Sequence, residues 1–153
     1  MAWRSQRHYS IALLTLLLAA CSGVEGSEPP AGPAAIDQAR LEAANSDDDN
    51  WLAYGRTYDE QRFSNLTQIN DSNVGELSLA WALELDTARG QEGTPIVVDG
   101  VMYTSTAWSK VVAIDAATGK QLWQFDPEND GAKAVHACCD VVNRGVAVWK
   151  GKV

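Results

Sequence analysis

The chain has 153 residues, of which 46% are hydrophobic and 21% are charged, and this composition excludes a mostly disordered chain and a chain embedded in a membrane. Its 20 acidic and 12 basic residues give a net charge of -8. No block of Lys and Arg is present to displace counterions from phosphates, so the charge pattern excludes a nucleic-acid partner and indicates an acidic, solvated surface.

Residues 1–21 are predicted to be a lipoprotein-type signal segment. Arg4 and Arg7 precede an apolar run at 11–18 that is too short to span a bilayer. The run ends in Leu-Ala-Ala-Cys, which resembles the bacterial lipobox in which the cysteine, here Cys21, is acylated and becomes the mature N-terminus. Cleavage by an ordinary signal peptidase is the alternative. Lipidation predicts a periplasmic protein that is anchored at a membrane surface without a transmembrane helix.

The next segment, residues 22–45, is rich in Ala, Pro, Gly, Ser and Glu and has no sustained apolar period, apart from a short helix that fits at 36–44. This composition predicts a flexible tether. The folded domain is therefore expected at residues 46–153.

Short apolar or alternating runs separated by turn residues follow Trp51, which is typical of an all-β fold with little helix. The strand candidates are residues 79–85, 94–98, 101–106, 110–115 and 121–125. Asp99-Gly100 predicts a two-residue hairpin turn, and the last four candidates are expected to form one antiparallel sheet. Further strands are expected at 140–143 and 145–149, followed by a hairpin turn at Gly151-Lys152.

One hairpin carries a longer pattern, Ala-Ile-Asp-Ala-Ala-Thr-Gly-Lys-Gln-Leu-Trp at 113–123. Gly119 suits the positive φ of the turn, and Trp123 offers a flat surface to wedge between neighbouring sheets. The pattern resembles the tryptophan docking motif that recurs in the blades of quinoprotein dehydrogenases; a generic β-hairpin with a core Trp is the alternative. The resemblance implies the first blades of an eight-bladed β-propeller. Because the chain stops inside an expected hairpin, we expect a truncated propeller domain.

Two cysteines, Cys138 and Cys139, are adjacent, and such neighbours are two unbonded thiols, cysteines bonded to separate partners, or a strained disulfide ring. If Cys21 is lipidated, the chain offers no separate partner. They lie in the run Ala-Cys-Cys-Asp-Val-Val-Asn-Arg-Gly at 137–145, and the run Gly-Gln-Glu-Gly-Thr-Pro lies upstream at 90–95. Both runs resemble cofactor-contacting segments of alcohol dehydrogenases that use pyrroloquinoline quinone (PQQ). The resemblance extends over residues 50–153 and is strongest to the quinohaemoprotein members.

The resemblance implies roles for four residues. PQQ is a flat quinone with three carboxylates, and Cys138 and Cys139 would form a disulfide that serves as its floor. Arg144 would pair with a cofactor carboxylate, and Glu92 would hydrogen-bond the edge of the cofactor, which requires a proton on one of the two partners. A surface ion pair or a solvated charge is the alternative for Arg144 and Glu92.

The resemblance also implies parts that are not assigned in this sequence. In the family a catalytic base and the ligands of a Ca²⁺ ion lie on later blades, so no catalytic residue and no metal ligand is predicted here; a haem c domain would also lie downstream. Asp47-Asp48-Asp49 lacks the ligand spacing of a calcium loop and is expected to be a solvated cap, and His136 a packing or rim residue.

The predicted function is that of the N-terminal part of an exported PQQ-dependent alcohol dehydrogenase. Hydride moves from a small alcohol to the quinone, and electrons pass on to a cytochrome c or a quinone. The chain by itself is expected to be inactive and to bind nothing tightly. The alternative is a non-enzymatic β-propeller lipoprotein that acts as an outer-membrane scaffold, for which the paired cysteines, Glu92 and Arg144 have no use.

Overall fold

The computed structural model of the chain describes residues 32–153. The predicted signal segment with Cys21, and the first part of the predicted tether, lie outside the described residues. Within 32–153, no helix has both the length and the apolar character needed to cross a bilayer.

The architecture is one four-stranded antiparallel sheet with little helix, as predicted. The strands are β1 (Ile96–Val98), β2 (Val101–Ser105), β3 (Val111–Asp115) and β4 (Gln121–Phe125), and they lie in the sheet in chain order. The helix α1 (Gln38–Glu42) and several short 3-10 turns surround the sheet. The four strands that the sequence predicted between residues 94 and 125 are therefore confirmed, each shortened by at most two residues.

Tight turns connect the strands because the turn residues accept positive φ angles. Asp99 and Gly100 have φ angles of 50° and 79°, the pair of values that a two-residue hairpin turn between β1 and β2 requires. Gly119, with φ of 73°, lies in the turn from β3 to β4. Asp115 closes that turn, because its carboxylate accepts hydrogen bonds from the Thr118 backbone N–H and hydroxyl at 2.8 and 2.7 Å.

The main hydrophobic cluster lies on one face of the sheet, and Val112 and Ile114 on the other face are buried as well. The register places Ile96, Tyr103, Ala113 and Trp123 side by side across the four strands, and side chains alternate between the two faces of a strand. The first three are buried, whereas Trp123 on the edge strand is partly exposed with its ring centroid 6.0 Å from that of Tyr103. Segments from both ends of the described chain complete this core, contributing Ile36, Leu52 and Val148.

Packing begins inside the segment that the sequence assigned to the tether. Ile36 is fully buried, and the carbonyls of Ala34 and Ile36 accept hydrogen bonds from the backbone N–H groups of Gly151 and Lys150 at 2.9 and 2.8 Å. Arg40 at the end of this segment donates two hydrogen bonds of 2.9 Å to the Asp99 carboxylate. Burial of a few apolar residues, together with these hydrogen bonds, therefore attaches part of the predicted tether to the folded domain.

Three other predicted strands do not form. Residues 79–85 have no regular secondary structure and pair with no backbone among the described residues, and 140–143 and 145–149 make only isolated bridges. An alternating pattern becomes a strand only when a neighbouring strand supplies the ladder, and periodicity alone does not reveal that neighbour. The hairpin turn expected at Gly151-Lys152 is present one residue earlier: Lys150 and Gly151 both have positive φ, and Trp149 and Lys152 exchange backbone hydrogen bonds.

The segment at 79–85 is held to the sheet by a side chain instead of a ladder. The Trp81 indole N–H donates to the Ala116 carbonyl at 3.0 Å. Its ring covers Gly119 so closely that a Cβ there would lie 2.5 Å from the ring. The docking pattern at 113–123 is therefore contacted by a tryptophan from earlier in the chain.

Candidate cofactor site

Glu92 and Arg144, predicted separately as cofactor contacts, lie next to each other. The Arg144 Nε is 3.4 Å from the Glu92 Oε2, and the two side chains are 79% and 48% exposed. Backbone contacts bring their segments together: the Thr94 N–H donates to the Arg144 carbonyl at 3.3 Å, and Thr94 forms a parallel bridge with Gly145. The structure therefore joins residues 52 positions apart in the chain.

Two glycines allow this approach. Gly145 has φ of 133°, and a Cβ on it would lie 3.1 Å from the Thr94 carbonyl oxygen. A Cβ on Gly93 would lie 2.8 Å from the carbonyl oxygen of Ser105, the last residue of β2. A side chain at either position would push the loop outward, so these glycines fix where the carboxylate of Glu92 and the guanidinium of Arg144 meet.

Cys138 and Cys139 lie directly after a 3-10 turn at Gly131–His136 and are both exposed. In the structure they are free thiols whose sulfur atoms lie 2.6 Å apart. The disulfide stays a prediction.

The charges of Glu92 and Arg144 influence the pKa of Cys139. The hydrogen bond from Cys138 is the largest cause that raises the pKa of the Cys139 thiol above its ordinary value of 9.0. Arg144 acts in the opposite direction and Glu92 in the same one, so both charges are close enough to influence this sulfur. All four residues singled out in the sequence are exposed.

Polar contacts hold the backbone that follows the cysteines, and they come from residues that the sequence analysis did not predict as site residues. Asp140 has φ of 67°, and its Oδ1 lies 2.9 Å from the Nη1 of Arg89. The Trp108 N–H donates to the Val141 carbonyl at 2.8 Å, and the Arg89 guanidinium lies 5.9 Å from the centre of the Trp108 ring. Arg89 directly precedes the predicted run at 90–95, and this position was the only signal in the sequence that could have revealed it.

Asn143 also holds this segment in place through hydrogen bonds. Its side-chain oxygen accepts from the Gly145 N–H at 3.0 Å, and its carbonyl accepts from the Ser105 hydroxyl at 3.3 Å. These bonds tie the residue before Arg144 to the end of β2. The position of Arg144 therefore depends on a short polar network, because the chain around it is not buried.

A cleft of about 490 Å³ opens beside the cysteine segment. Charged and apolar side chains both line it, among them Trp108, Glu128, Asp130, Lys133, Asp140 and Val142.

The aspartate run at 47–49 and His136, which the sequence did not assign to the site, make no contact with the four predicted site residues in the hydrogen bonds described. Asp48 binds Arg56 at 2.8 Å, Asp47 accepts from Asn50, and His136 is an exposed residue of the 3-10 turn.

The donor set fits an anionic, planar ligand better than a metal ion. An exposed guanidinium can pair with a carboxylate, Glu92 can hydrogen-bond a ring edge, and two adjacent sulfurs offer a contact surface. No group of three His, Cys, Asp or Glu side chains that could hold a metal ion occurs between residues 32 and 153.

Comparison with known proteins gives the family. Residues 51–153 match the family model described as the PQQ glucose/ethanol/alcohol dehydrogenase β-propeller domain. The chain belongs to this family. A quinohemoprotein alcohol dehydrogenase, ADH-IIG of Pseudomonas putida, is 53% identical over 146 residues, covering 94% of this chain and 20% of that protein. The dehydrogenase subunit of the alcohol dehydrogenase (quinone) of Komagataeibacter europaeus is 65% identical over 104 residues, which is 68% of this chain and 14% of the subunit.

A solved structure confirms the fold of the family. The chain superposes on quinohemoprotein alcohol dehydrogenase ADHIIG from Pseudomonas putida HK5 with a TM-score of 0.75 and 56% identity, over 82% of this chain and 18% of that one. The predicted family and the predicted portion of a PQQ β-propeller are therefore confirmed. The chain spans a fifth or less of the length of these curated relatives.

Proposed function

We propose that this chain is the N-terminal part of an exported PQQ-dependent alcohol dehydrogenase, and that Glu92, Arg144, Cys138 and Cys139 form one wall of its cofactor site. The observation that carries the proposal is the contact at 3.4 Å between Glu92 and Arg144, which lies in the same run of the sequence as the cysteine pair. Both side chains point to solvent with no other hydrogen-bond partner among the described residues.

The residues of this wall act on the cofactor by binding and orienting it. Arg144 offers a planar donor fork that matches a carboxylate of PQQ. Glu92 lies next to that fork, so it reaches the same edge of a bound molecule, and one of the two acidic partners in such a contact holds a proton. Cys138 and Cys139, joined as a disulfide, form a rigid floor that holds the plane of the ring system.

The reaction needs groups beyond this wall. PQQ, when bound, supplies the quinone that accepts hydride from a small alcohol. We assign the Ca²⁺ ligands and the catalytic base to later blades of the complete protein, as the family resemblance implies. The proposal further includes lipidation at Cys21 in the periplasm, and a cytochrome c or a quinone as electron acceptor, with a haem c domain as one route to it.

Titration of the full-length protein with PQQ tests the wall directly. Arg144→Gln removes a charge-assisted bond and should weaken PQQ binding roughly tenfold to a hundredfold, and Glu92→Leu should also weaken it. The matched control is Arg62→Gln, because Arg62 is an arginine whose guanidinium lies 4.1 Å from the Tyr54 ring, away from the site. Equal affinity of wild type and both site variants would contradict the proposal, and no PQQ uptake at all would favour the scaffold lipoprotein.

Mass spectrometry of the exported protein without reductant tests the floor. We expect Cys138 and Cys139 to be lighter by two hydrogens than free thiols. Complete alkylation of both cysteines without prior reduction would contradict the disulfide.

The 153-residue chain alone should show no dye-linked alcohol oxidation with added PQQ and Ca²⁺. Measurable turnover would contradict the assignment of the base to another part of the protein.

A further inference from the structure

Arg89 links the two segments of the proposed cofactor wall, the loop that carries Glu92 and the segment that carries the cysteines. Its backbone begins the loop that carries Glu92, and its carbonyl accepts a hydrogen bond from the Gln91 side chain at 3.0 Å. Its side chain reaches the cysteine segment, where Nη1 lies 2.9 Å from Asp140 Oδ1. One residue therefore contacts both the loop of Glu92 and the segment that follows Cys139.

We propose that Arg89 is a positioning residue that sets the orientation of the Cys138-Cys139 pair through Asp140. Asp140 is bonded directly to Cys139 and has the left-handed φ of 67°, a conformation that costs free energy for a residue with a side chain unless its surroundings hold it. The ion pair with Arg89 is the only hydrogen bond or ion pair of the Asp140 carboxylate among the described residues. This proposal rests on the proposed function of the wall.

Trp108 limits where the Arg89 side chain can go. The guanidinium lies 5.9 Å from the centre of the Trp108 ring, within the range of a cation–π contact. The same Trp108 binds the carbonyl of Val141, two residues after Cys139, through its backbone N–H at 2.8 Å. The chain after the cysteines is thus held at two successive residues, once through the Asp140 side chain and once through the Val141 backbone.

Other cations near the cysteines have different partners or positions. Arg144 contacts Glu92, and Lys133 lines the cleft without an ion pair among the described residues. Because Arg89 and Asp140 are 53% and 40% exposed, their removal should leave the folded sheet intact and act on the local backbone. The expected effect is therefore a change in how readily the two sulfurs meet, and not a loss of folding.

The thiol–disulfide equilibrium of the pair in glutathione buffers measures this effect on the full-length protein. Oxidised glutathione takes two electrons from the Cys138 and Cys139 thiols; a bond forms between their sulfurs, the glutathione disulfide breaks, and the two protons leave with two molecules of reduced glutathione. Arg89→Gln should lower this equilibrium constant roughly two- to fivefold, the range for an exposed ion pair. Asp140→Asn should lower it by the same factor.

A double-mutant cycle distinguishes positioning from a general loss of charge. If Arg89 acts through Asp140, the double variant should show no larger change than either single one, and Arg89→Lys should recover most of the lost factor because it restores the ion pair. Arg62→Gln serves as the matched control and should leave the constant unchanged. Independent effects of the two single variants that multiply in the double one, or no effect of Arg89→Gln, would overturn the proposal.

This readout separates failure of the inference from failure of the proposed function. The equilibrium is measured without PQQ, so a protein that takes up no cofactor but shows the predicted cycle supports positioning and contradicts the cofactor wall. A protein that binds PQQ with an unchanged equilibrium in Arg89→Gln retains the proposed function and overturns the positioning role. A wild-type pair that stays reduced at every glutathione ratio overturns both.

Discussion

The four-stranded sheet and the segment from residue 126 to 147, which carries the cysteine pair, are held by different means. Strands β1 to β4 form continuous backbone ladders over a buried face that includes Val98, Tyr103 and Ala113. No residue of 126–147 is buried, and its position depends on single polar contacts such as those of Asp140 and Asn143. Continuous ladders and a buried core therefore hold the sheet, whereas single polar contacts hold the site segment, among them contacts of Asp140 and Asn143 with residues distant in sequence.

The largest effect on the free energy of unfolding is expected when a buried side chain of the sheet is shortened to alanine. Tyr103 is almost fully buried in the middle of the cross-strand row, and Tyr103→Ala should lower the free energy of unfolding by about 3–5 kcal/mol because it leaves a cavity. Tyr58→Ala is the matched control, since Tyr58 is 64% exposed and its removal should change stability by no more than about 0.5 kcal/mol. Urea unfolding followed by circular dichroism measures both. Similar midpoints would contradict the assignment of the core.

A pair of glycines tests the turn that Trp81 covers. Gly119→Ala meets both the positive φ of 73° and the Trp81 ring, so it should cost about 2–5 kcal/mol of stability. Gly100→Ala has a similar φ of 79° but open space around it, and should cost only about 1–2 kcal/mol. The difference between the two midpoints in urea isolates the contact with Trp81. It should shrink when Trp81→Ala is combined with each glycine variant.

A smaller, pH-dependent effect is expected at the β3–β4 turn. Hydrogen bonds from the Thr118 hydroxyl, and then from its backbone N–H, lower the pKa of Asp115 below its ordinary value of 3.8. A carboxyl group with a depressed pKa stabilises the fold above its unfolded pKa, and this stabilisation is lost as the pH falls through the folded value. The stability difference between wild type and Asp115→Asn should therefore be constant at neutral pH and shrink below pH 3.8.

The side chain of Thr118 provides an independent check of that turn, because its hydroxyl is the largest cause of the shift. Thr118→Val should reduce the acid-dependent part of the stability in the same pH range. Urea midpoints recorded from neutral pH downward measure it. An unchanged pH dependence in both variants would show that the turn carboxylate does not contribute.

The smallest effect is expected in the site segment. Cys138 is exposed and takes no part in the sheet, so Cys138→Ser in reducing buffer should change the free energy of unfolding by no more than about 0.5 kcal/mol. The same urea experiment measures it. A loss comparable to that of Tyr103→Ala would show that the cysteine segment is part of the cooperative core, and the contrast between the two regions would disappear.

The sequence predicted the structure best where the determinants are local. Asp99-Gly100 and Gly119 specify turns through their own φ preferences, and the β-branched runs beside them find partners across those turns. Residues 79–85 show an equally good pattern but lack a neighbouring ladder, which no local signal reveals. The fold was therefore predictable from residue 94 to 125, and much less so outside that range.

For the candidate site, residue types were predictable and contacts were not. Glu92, Arg144 and the cysteines stand out through their family-like runs, yet nothing local in the sequence indicates that Arg144 contacts Glu92. Arg89 was missed because a single arginine before a glycine carries no signature; its role depends on an aspartate 51 positions later. Long-range polar contacts of this kind become visible only once the chain is folded.

Residues 34–36 are attached to the turn at Lys150-Gly151, and this attachment shortens the linker between the proposed lipid anchor and the folded domain. If Cys21 carries the proposed lipid, residues 22–33 are the part of the chain between that anchor and Ala34, the first residue bonded to this turn. At the reach of a fully extended chain, that is roughly 40 Å at most, about half of what residues 22–45 would allow. With that anchor, the sheet would stay within this distance of the membrane surface.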